Sequence, residues 1–301
     1  MTPKILTFGE IIWDLYPDKS IIGGAGLNFA AHSAKCGAES YILSAVGHDK
    51  LGDEALSATE GFGINHKLIT RCNAPTGQCL VTLGERGIPS YNVLSGVAYD
   101  NITLTDEKIR EIDTLGFNAL YFGTLIQRSG VTRKALRDLL ASCSFKEIIC
   151  DVNLRKDCFD SDSILFCLKN ATVLKISDEE EPTLRQFGYY TPDSDSPQSI
   201  AAAIADKFSN IKHVIITLGE RGAFVCCTRE GRHFTTPAAH ARVASTVGAG
   251  DSFIAAWTTS ILAGSTPEAA TKKSTTLSGF VVSKTAAIPD YKFENGILYE
   301  L

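Results

Sequence analysis

Short apolar runs recur along the chain: KILTFGEII (4–12), SYILSAV (40–46), ALYFG (119–123), EIICD (147–151), ATVLKI (171–176), HVIITL (213–218) and AFVCC (223–227). Each is nearly continuous rather than alternating, the pattern of a strand covered on both faces. Between them, apolar residues repeat at helical spacing over 28–36, 52–61, 105–113, 130–142, 178–187, 197–208, 251–263 and 267–284. Gly37 stands where a helix C-terminal glycine belongs, and Thr266-Pro267 reads as an N-cap followed by the first helical residue. Strand and helix alternate, which predicts an α/β fold with a doubly wound, mostly parallel sheet.

Two segments break that rhythm. TGQCLVTLGERGIPSYNVLSG (76–96) holds two strand-like runs around a Gly/Pro turn, and IIWDLYPDKSII (11–22) reads as strand, turn and strand. Together they predict a small antiparallel β lid on the edge of one α/β domain spanning 1–301. An exposed strand edge invites a second copy, so a homodimer through the lid is expected.

Composition narrows the partners. The net charge is −5 with no Lys/Arg block, so neither nucleic acid nor an anionic membrane is an expected partner. Nine cysteines without a C-x-x-C pair read as reduced thiols rather than a zinc or dithiol motif. No apolar run reaches the ~18 residues of a membrane span. MTPKILTFGE lacks the apolar region of a signal peptide, so a cytoplasmic location is expected.

STVGAGDSF (245–253) poses the chemical question: Gly248, Ala249 and Gly250 bare the backbone just before Asp251, at the mouth of a helix. A helix N-terminus with no side chain in the way seats an anion. A carboxylate there makes sense if it accepts a proton from an attacking hydroxyl, which is a phosphoryl-transfer arrangement. An aspartate that merely caps the helix is the competing account. The second glycine cluster, GGAGLNFAAH (23–32), places Gly24 and Asn28 at another helix start, with Asp14 upstream. Asn28 can donate and accept, and Asp14 can accept two hydroxyls, so both suit a sugar. A tight turn plus a surface aspartate is the alternative. Phe29 and Phe253 stand where a dinucleotide fingerprint needs its third glycine, and no G-x-x-x-x-G-K-[ST], H-E-x-x-H or G-x-S-x-G occurs. The six histidines show no ligand spacing and read as core or surface residues.

In order, these pieces resemble the ribokinase-like (PfkB) family of sugar kinases over nearly the whole chain. GEIIWD (9–14), GGAGLNFAAHSAKCG (23–37), LSAVGHDKLGD (43–53), TGQCLVTL (76–83), DVNLR (151–155), LKISDEEE (174–181), ITLGERGAF (216–224) and TVGAGDSF (246–253) carry the resemblance. GEIIWD, TGQCLV, PSYNV (89–93) and DVNLR are most similar to bacterial fructokinases. The resemblance implies Asp251 as catalytic base, with Gly248, Ala249 and Gly250 as the anion hole. It implies Asp14, Gly24 and Asn28 on sugar hydroxyls, and Arg155 reaching the sugar or the transferring phosphate. Thr217, Gly219 and Gly222 would lie along ATP, with Lys175 and Ser177 beside it. Glu180 would organise Mg²⁺ and its waters.

Three departures stand out. Ser245 replaces an aspartate that potassium-activated relatives use, which puts monovalent activation in doubt. Ser177 replaces the commoner Asn, and Ala286 replaces a glycine near the adenine pocket. The expectation is therefore an ATP-dependent kinase converting fructose to fructose 6-phosphate. Kinases for 2-keto-3-deoxygluconate, ribose or a nucleoside, and a non-catalytic sugar sensor, are the rivals.

Overall fold

The computed structural model describes residues 2–83, 89–294 and 297–301. The chain opens with β1 (Lys4–Phe8), β2 (Ile12–Leu15), β3 (Ser20–Gly23), α1 (Ala25–Lys35), β4 (Glu39–Gly47), α2 (Lys50–Gly61), β5 (Ile69–Cys72), β6 (Gly77–Leu83) and β7 (Pro89–Val93). It continues through α3 (Asp106–Leu115), β8 (Ala119–Gly123), α4 (Gly130–Ser142), β9 (Glu147–Asp151), α5 (Ser161–Asn170), β10 (Val173–Ser177), α6 (Glu181–Arg185), α7 (Pro197–Lys207) and β11 (His213–Thr217). It closes with β12 (Ala223–Cys227), β13 (Arg232–Thr236), α8 (Ala249–Leu262), α9 (Pro267–Val282) and the hairpin β14 (Tyr291–Glu294) and β15 (Ile297–Glu300).

Nine strands form the main sheet in the order β13-β12-β11-β10-β9-β8-β1-β4-β5. The pairings from β5 across to β11 are parallel, and β12 and β13 add an antiparallel edge. Burial on both faces explains the continuous apolar runs: Leu6 and Phe8 of β1 enter one core, Ile5 the other. Helices α3, α4, α5 and α7 cover the first face. Helices α1, α8 and α9 cover the second. From β1 the chain winds one way to β4 and β5, and from β8 the other way to β11. The crevice between β1 and β8 is therefore the switch point, where open α/β sheets hold their ligands.

The expected run 4–12 breaks at Gly9 and Glu10 because α1 crosses there. A Cβ on Gly26 would lie 2.6 Å from Gly9 Cα and 2.9 Å from Glu10 N. The helical pattern over 178–187 yields only α6, because a turn with Glu180 N on Ser177 O precedes it. The apolar pattern gives no sign of β5 or β13, since ITRC and RHFTT are largely exposed edge strands.

The second sheet runs β3-β2-β6-β7 and corresponds to the two irregular segments. The antiparallel sheet expected there is two antiparallel hairpins joined by a parallel β2–β6 pairing, with Ile12 opposite Gly77. Both strands leave the main body in the same direction, which forces them parallel. The turn expected at 84–88 lies outside the described residues. Each root of this sheet is pinned. Asp49 caps α2 through Gly52 N and accepts from Thr76 N (2.8 Å) and Thr76 Oγ1 (2.6 Å). At the other root Asp100 and Arg128 form a bidentate pair (2.8 and 2.9 Å), and Arg128 also donates to Leu94 O. Among the described residues no helix is long and apolar enough to cross a membrane.

Helix propensity alone would make Gly26→Ala stabilising by about 1 kcal/mol. The crossing at Gly9 reverses the sign: overpacking should cost about 1–3 kcal/mol, read as a lower urea midpoint. A raised midpoint would mean that α1 can back away from β1.

Candidate active site

Helix α8 is buried almost all round, with Phe253, Ile254 and Trp257 in the core behind the sheet. Its first residue is preceded by Gly248 in the left-handed region (φ 82°) as N-cap, and no side chain caps it. A Cβ at Gly248 would meet Ala287 O at 2.7 Å, so only glycine fits. Ser252 N closes the first turn on Gly248 O at 2.9 Å. Ala249 N bonds to Thr246 O at 3.3 Å, and the other N–H groups ahead of Ser252 keep their partial positive charge for a ligand.

Asp251 sits in that first turn, 8% exposed. Asn28, which closes the first turn of α1, donates from Nδ2 to Asp251 Oδ2 at 2.8 Å. Asn28 Oδ1 is buried with no partner among the described residues, an acceptor left open. Burial raises the pKa of Asp251 above the ordinary carboxylate value, and Glu10 adds to that. The Asn28 bond and the charges of Lys175 and Arg155 oppose it.

Beneath Gly250 lies a second charge. A Cβ there would be 3.0 Å from Lys175 Nζ. Lys175, at 5% exposure, donates to both oxygens of Asp151 at 2.8 and 2.9 Å. Burial acts to lower the Lys175 pKa, but Asp151, Glu180 and Asp251 outweigh it and raise it. Burial pushes Asp151 up to about 6, against the pull of Lys175. The bidentate contact is that of an ion pair, and a buried pair of this geometry keeps both groups charged near neutrality. Glu180 takes Leu154 N (2.6 Å) on Oε1 and Ser177 N (2.8 Å) and Oγ (3.0 Å) on Oε2. It thereby ties the ends of β9 and β10 together.

The remaining candidates ring this centre. Thr217 lies opposite Ser177 in the register of β10 and β11. Gly219 and Gly222 follow, both at positive φ, and a Cβ at Gly222 would strike Thr236 O at 2.0 Å. Gly24 (φ 102°) turns the chain over Glu10 into α1. Asp14 does not join the Asp251 cluster directly. It lies on β2 opposite Cys79 of β6, and burial raises its pKa against the opposing effects of Cys79 and the Arg155 charge. Arg155 is exposed, and its charge reaches both Asp14 and Asp251.

Three residues at the centre escape the sequence reading. Asp151 was visible only as the first letter of DVNLR, and its pairing with Lys175 is a register effect of β9 against β10. Glu10, 4% exposed, accepts from Gly26 N through Oε1 at 3.2 Å. Cys79 gave no signal apart from its strand.

Comparison with known proteins agrees with this geometry. Residues 4–293 match the pfkB family of carbohydrate kinases. A relative described as probable fructokinase-5 of Arabidopsis thaliana is 24% identical over 86% of this chain and 83% of its own. The crystal structure of 2-dehydro-3-deoxygluconokinase from Thermotoga maritima superposes with a TM-score of 0.82 at 21% identity, covering 95% of each chain. A Pyrococcus horikoshii sugar kinase solved in complex with ATP gives 0.79 at 24% identity, covering 94% of each chain. The large mostly parallel sheet, the separate small sheet and the match over nearly the full length make this chain a member of the pfkB family of carbohydrate kinases.

Proposed function

We propose that the protein transfers the γ-phosphoryl group of ATP to a sugar hydroxyl, with fructose as acceptor and fructose 6-phosphate as product. The observation that carries the reading is the uncapped start of α8 with a buried carboxylate inside it. Asp251 takes the proton of the attacking hydroxyl, and the N–H groups of 248–251 stabilise the charge that develops on the phosphoryl oxygens. Lys175, beneath Gly250, adds positive charge to the same point. A non-catalytic sensor has no use for such a base.

Asn28 Oδ1, Asp14 and Gly24 border the place where the acceptor sits. ATP lies along Thr217, Gly219 and Gly222 in this reading, and ATP itself is the nucleotide in the complex of the Pyrococcus horikoshii relative. Among the described residues no cluster of three or more His, Cys, Asp or Glu side chains cages a metal. Glu180 spends its oxygens on N–H and O–H donors, which fits a carboxylate acting through water on an ion that arrives with the nucleotide. Mg²⁺ bound there would neutralise phosphate charge. The described parts of the expected lid, 11–22, 76–83 and 89–96, would cover the sugar, and exposed Leu80 and Tyr91 there suit a homodimer contact.

Fructose is favoured by the Arabidopsis relative. Arg155 supports a second reading, an acidic sugar such as 2-keto-3-deoxygluconate, because a guanidinium can take a carboxylate in a bidentate way. ATP consumption across fructose, ribose, 2-keto-3-deoxygluconate and adenosine decides between them. Fructose should give the highest kcat/KM, and a flat panel would return the sensor reading.

Asp251→Asn is nearly isosteric but cannot accept a proton, so kcat should fall by about 10²–10⁴ with sugar binding kept, as seen by titration calorimetry. Retention of more than about a tenth of kcat would remove Asp251 from the role of base.

The base must be ionised to act. Its raised pKa means that kcat/KM falls as pH drops through a value above the ordinary aspartate value of 3.8. A pH–rate profile should show this acid limb, belonging jointly to Asp251 and its neighbour Asp151. A flat profile down to pH 4 would contradict the burial seen here.

Asp14→Ala removes an acceptor of sugar hydroxyls. Losing a hydrogen bond to a charged group costs about 1.5–3 kcal/mol, so sugar KM should rise tenfold or more. Initial-rate kinetics should show little change in KM for ATP; the reverse pattern would place Asp14 outside the sugar site.

A further inference from the structure

Helix α1 delivers a second donor one turn beyond Asn28. His32 is fully buried, with no exposed surface. Its Nε2 lies 2.9 Å from Ala287 O and its Nδ1 2.7 Å from the Tyr291 hydroxyl. The geometry fixes the proton. A carbonyl can only accept, so Nε2 carries the hydrogen, and Nδ1 accepts from Tyr291. Ala287 is the residue whose carbonyl would meet a Cβ on Gly248 at 2.7 Å. No side chain separates it from the backbone that opens α8. The stretch before Gly248 is anchored separately, with Ala244 N and Ser245 N on Val282 O at 2.7 and 3.2 Å.

We propose that His32 is a positioning residue for phosphoryl transfer: through Ala287 it braces Gly248, and so holds the anion hole in register with the Asp251 that Asn28 grips. The physical case rests on what an unbraced segment would do. The Ala287 carbonyl is buried, and without a donor it would turn toward water or another N–H. Gly248 packs on it directly, so the first-turn N–H groups would swing with it. Asn28 and His32 are four residues apart on one face of α1. One rigid helix therefore indexes both the base and the wall behind the anion seat. His32 makes no contact with Asp251 or the seat itself, so its effect on catalysis runs through Ala287. A histidine chosen only to fill space would not need both ring nitrogens engaged.

The groups around the ring favour its neutral form. Burial lowers its pKa to about 4; the Ala287 hydrogen bond raises it, and the charge of Lys35 lowers it further. Lys35 Nζ sits 5.3 Å from the centre of the Tyr291 ring, and Cys36 packs against the cluster that holds Tyr291. Among the described residues no carboxylate contributes to the ring's shift.

The inference rests on Asp251 acting as the base, not on which sugar is used. It is tested in two arms. In the full-length protein, long-range ¹H–¹⁵N spectra of labelled histidine, assigned with His32→Gln, should show His32 as the neutral Nε2–H tautomer. It should not titrate between pH 8 and 5.5. A ring that titrates in that range, or the Nδ1–H tautomer, overturns the clamp whatever the enzyme's activity. The second arm compares His32→Gln, whose amide can still donate to Ala287 O, with His32→Leu, which fills the space without a donor. Relative to wild type, kcat should fall at least about tenfold in the leucine variant, and stay within about threefold in the glutamine variant. Sugar KM should hold within about threefold in both, because Asn28 and Asp14 are untouched. Equal kcat values in two folded variants overturn the proposal; if the leucine variant does not fold, the spectra of the wild-type protein decide.

Discussion

Asn28 donates one hydrogen bond to Asp251, and the cleft is organised around that 2.8 Å contact. It joins the start of α1, near the N-terminus of the chain, to the start of α8, more than two hundred residues later. The contact exists only because α1 lies against the end of β1 with no side chain between them. Gly9 and Gly26 permit a backbone approach that a single methyl would forbid. α1 then packs along α8, and their starts are joined by that bond. The open face of Asn28 and the uncapped turn of α8 look into the same space.

The charge balance of that space has a direction. Glu10, Asp151, Glu180 and Asp251 stand against Lys175 and Arg155, so carboxylates outnumber cations. A polyanionic nucleotide would be repelled by such a set in isolation. The carboxylates are not free, however. Asp151 is held by Lys175, Glu180 by two N–H groups and a hydroxyl, and Glu10 by Gly26 N. Among the described residues Asp251 accepts a single hydrogen bond, from Asn28 on Oδ2. Positive potential comes from the helix start and from the Lys175 ammonium under it. The result is local: an anion seat and a proton acceptor sit next to each other without neutralising each other.

The small sheet is held in two ways. Ile12 of β2 and Cys79 of β6 reach into the main core, and polar clamps at both roots add to that hold. Asp49 binds Thr76 by main chain and side chain, and Thr76 Oγ1 in turn accepts from Gly47 N at 2.9 Å. Arg128 is held by Asp100 and stacks over the Tyr99 ring, 4.8 Å from its centre. Buried pairs of this kind add little net stability over apolar packing, but they fix geometry, because an unpaired charge there would be costly.

The sequence by itself determined the layer structure, the family and the two helix starts. Short continuous apolar runs alternating with helical periods fit strands buried on both faces, while the glycine-bared turn ahead of Asp251 left a plain helix cap as the competing account until the motifs were taken together. Most of the interior helices were legible for the same reason, since burial writes itself into hydrophobic period. Edge strands such as β5 and β13 were not, because exposure removes that signal. Only the tertiary structure decided which side chains meet. The pairing of Lys175 with Asp151 is set by strand register, and the parallel joint between β2 and β6 by the common direction in which they leave the body. His32 is the clearest case. Its neighbours in sequence say core residue, and its two partners lie more than two hundred and fifty positions away. A polar residue's role depends on the direction of a donor and the partner it finds, and neither is encoded locally.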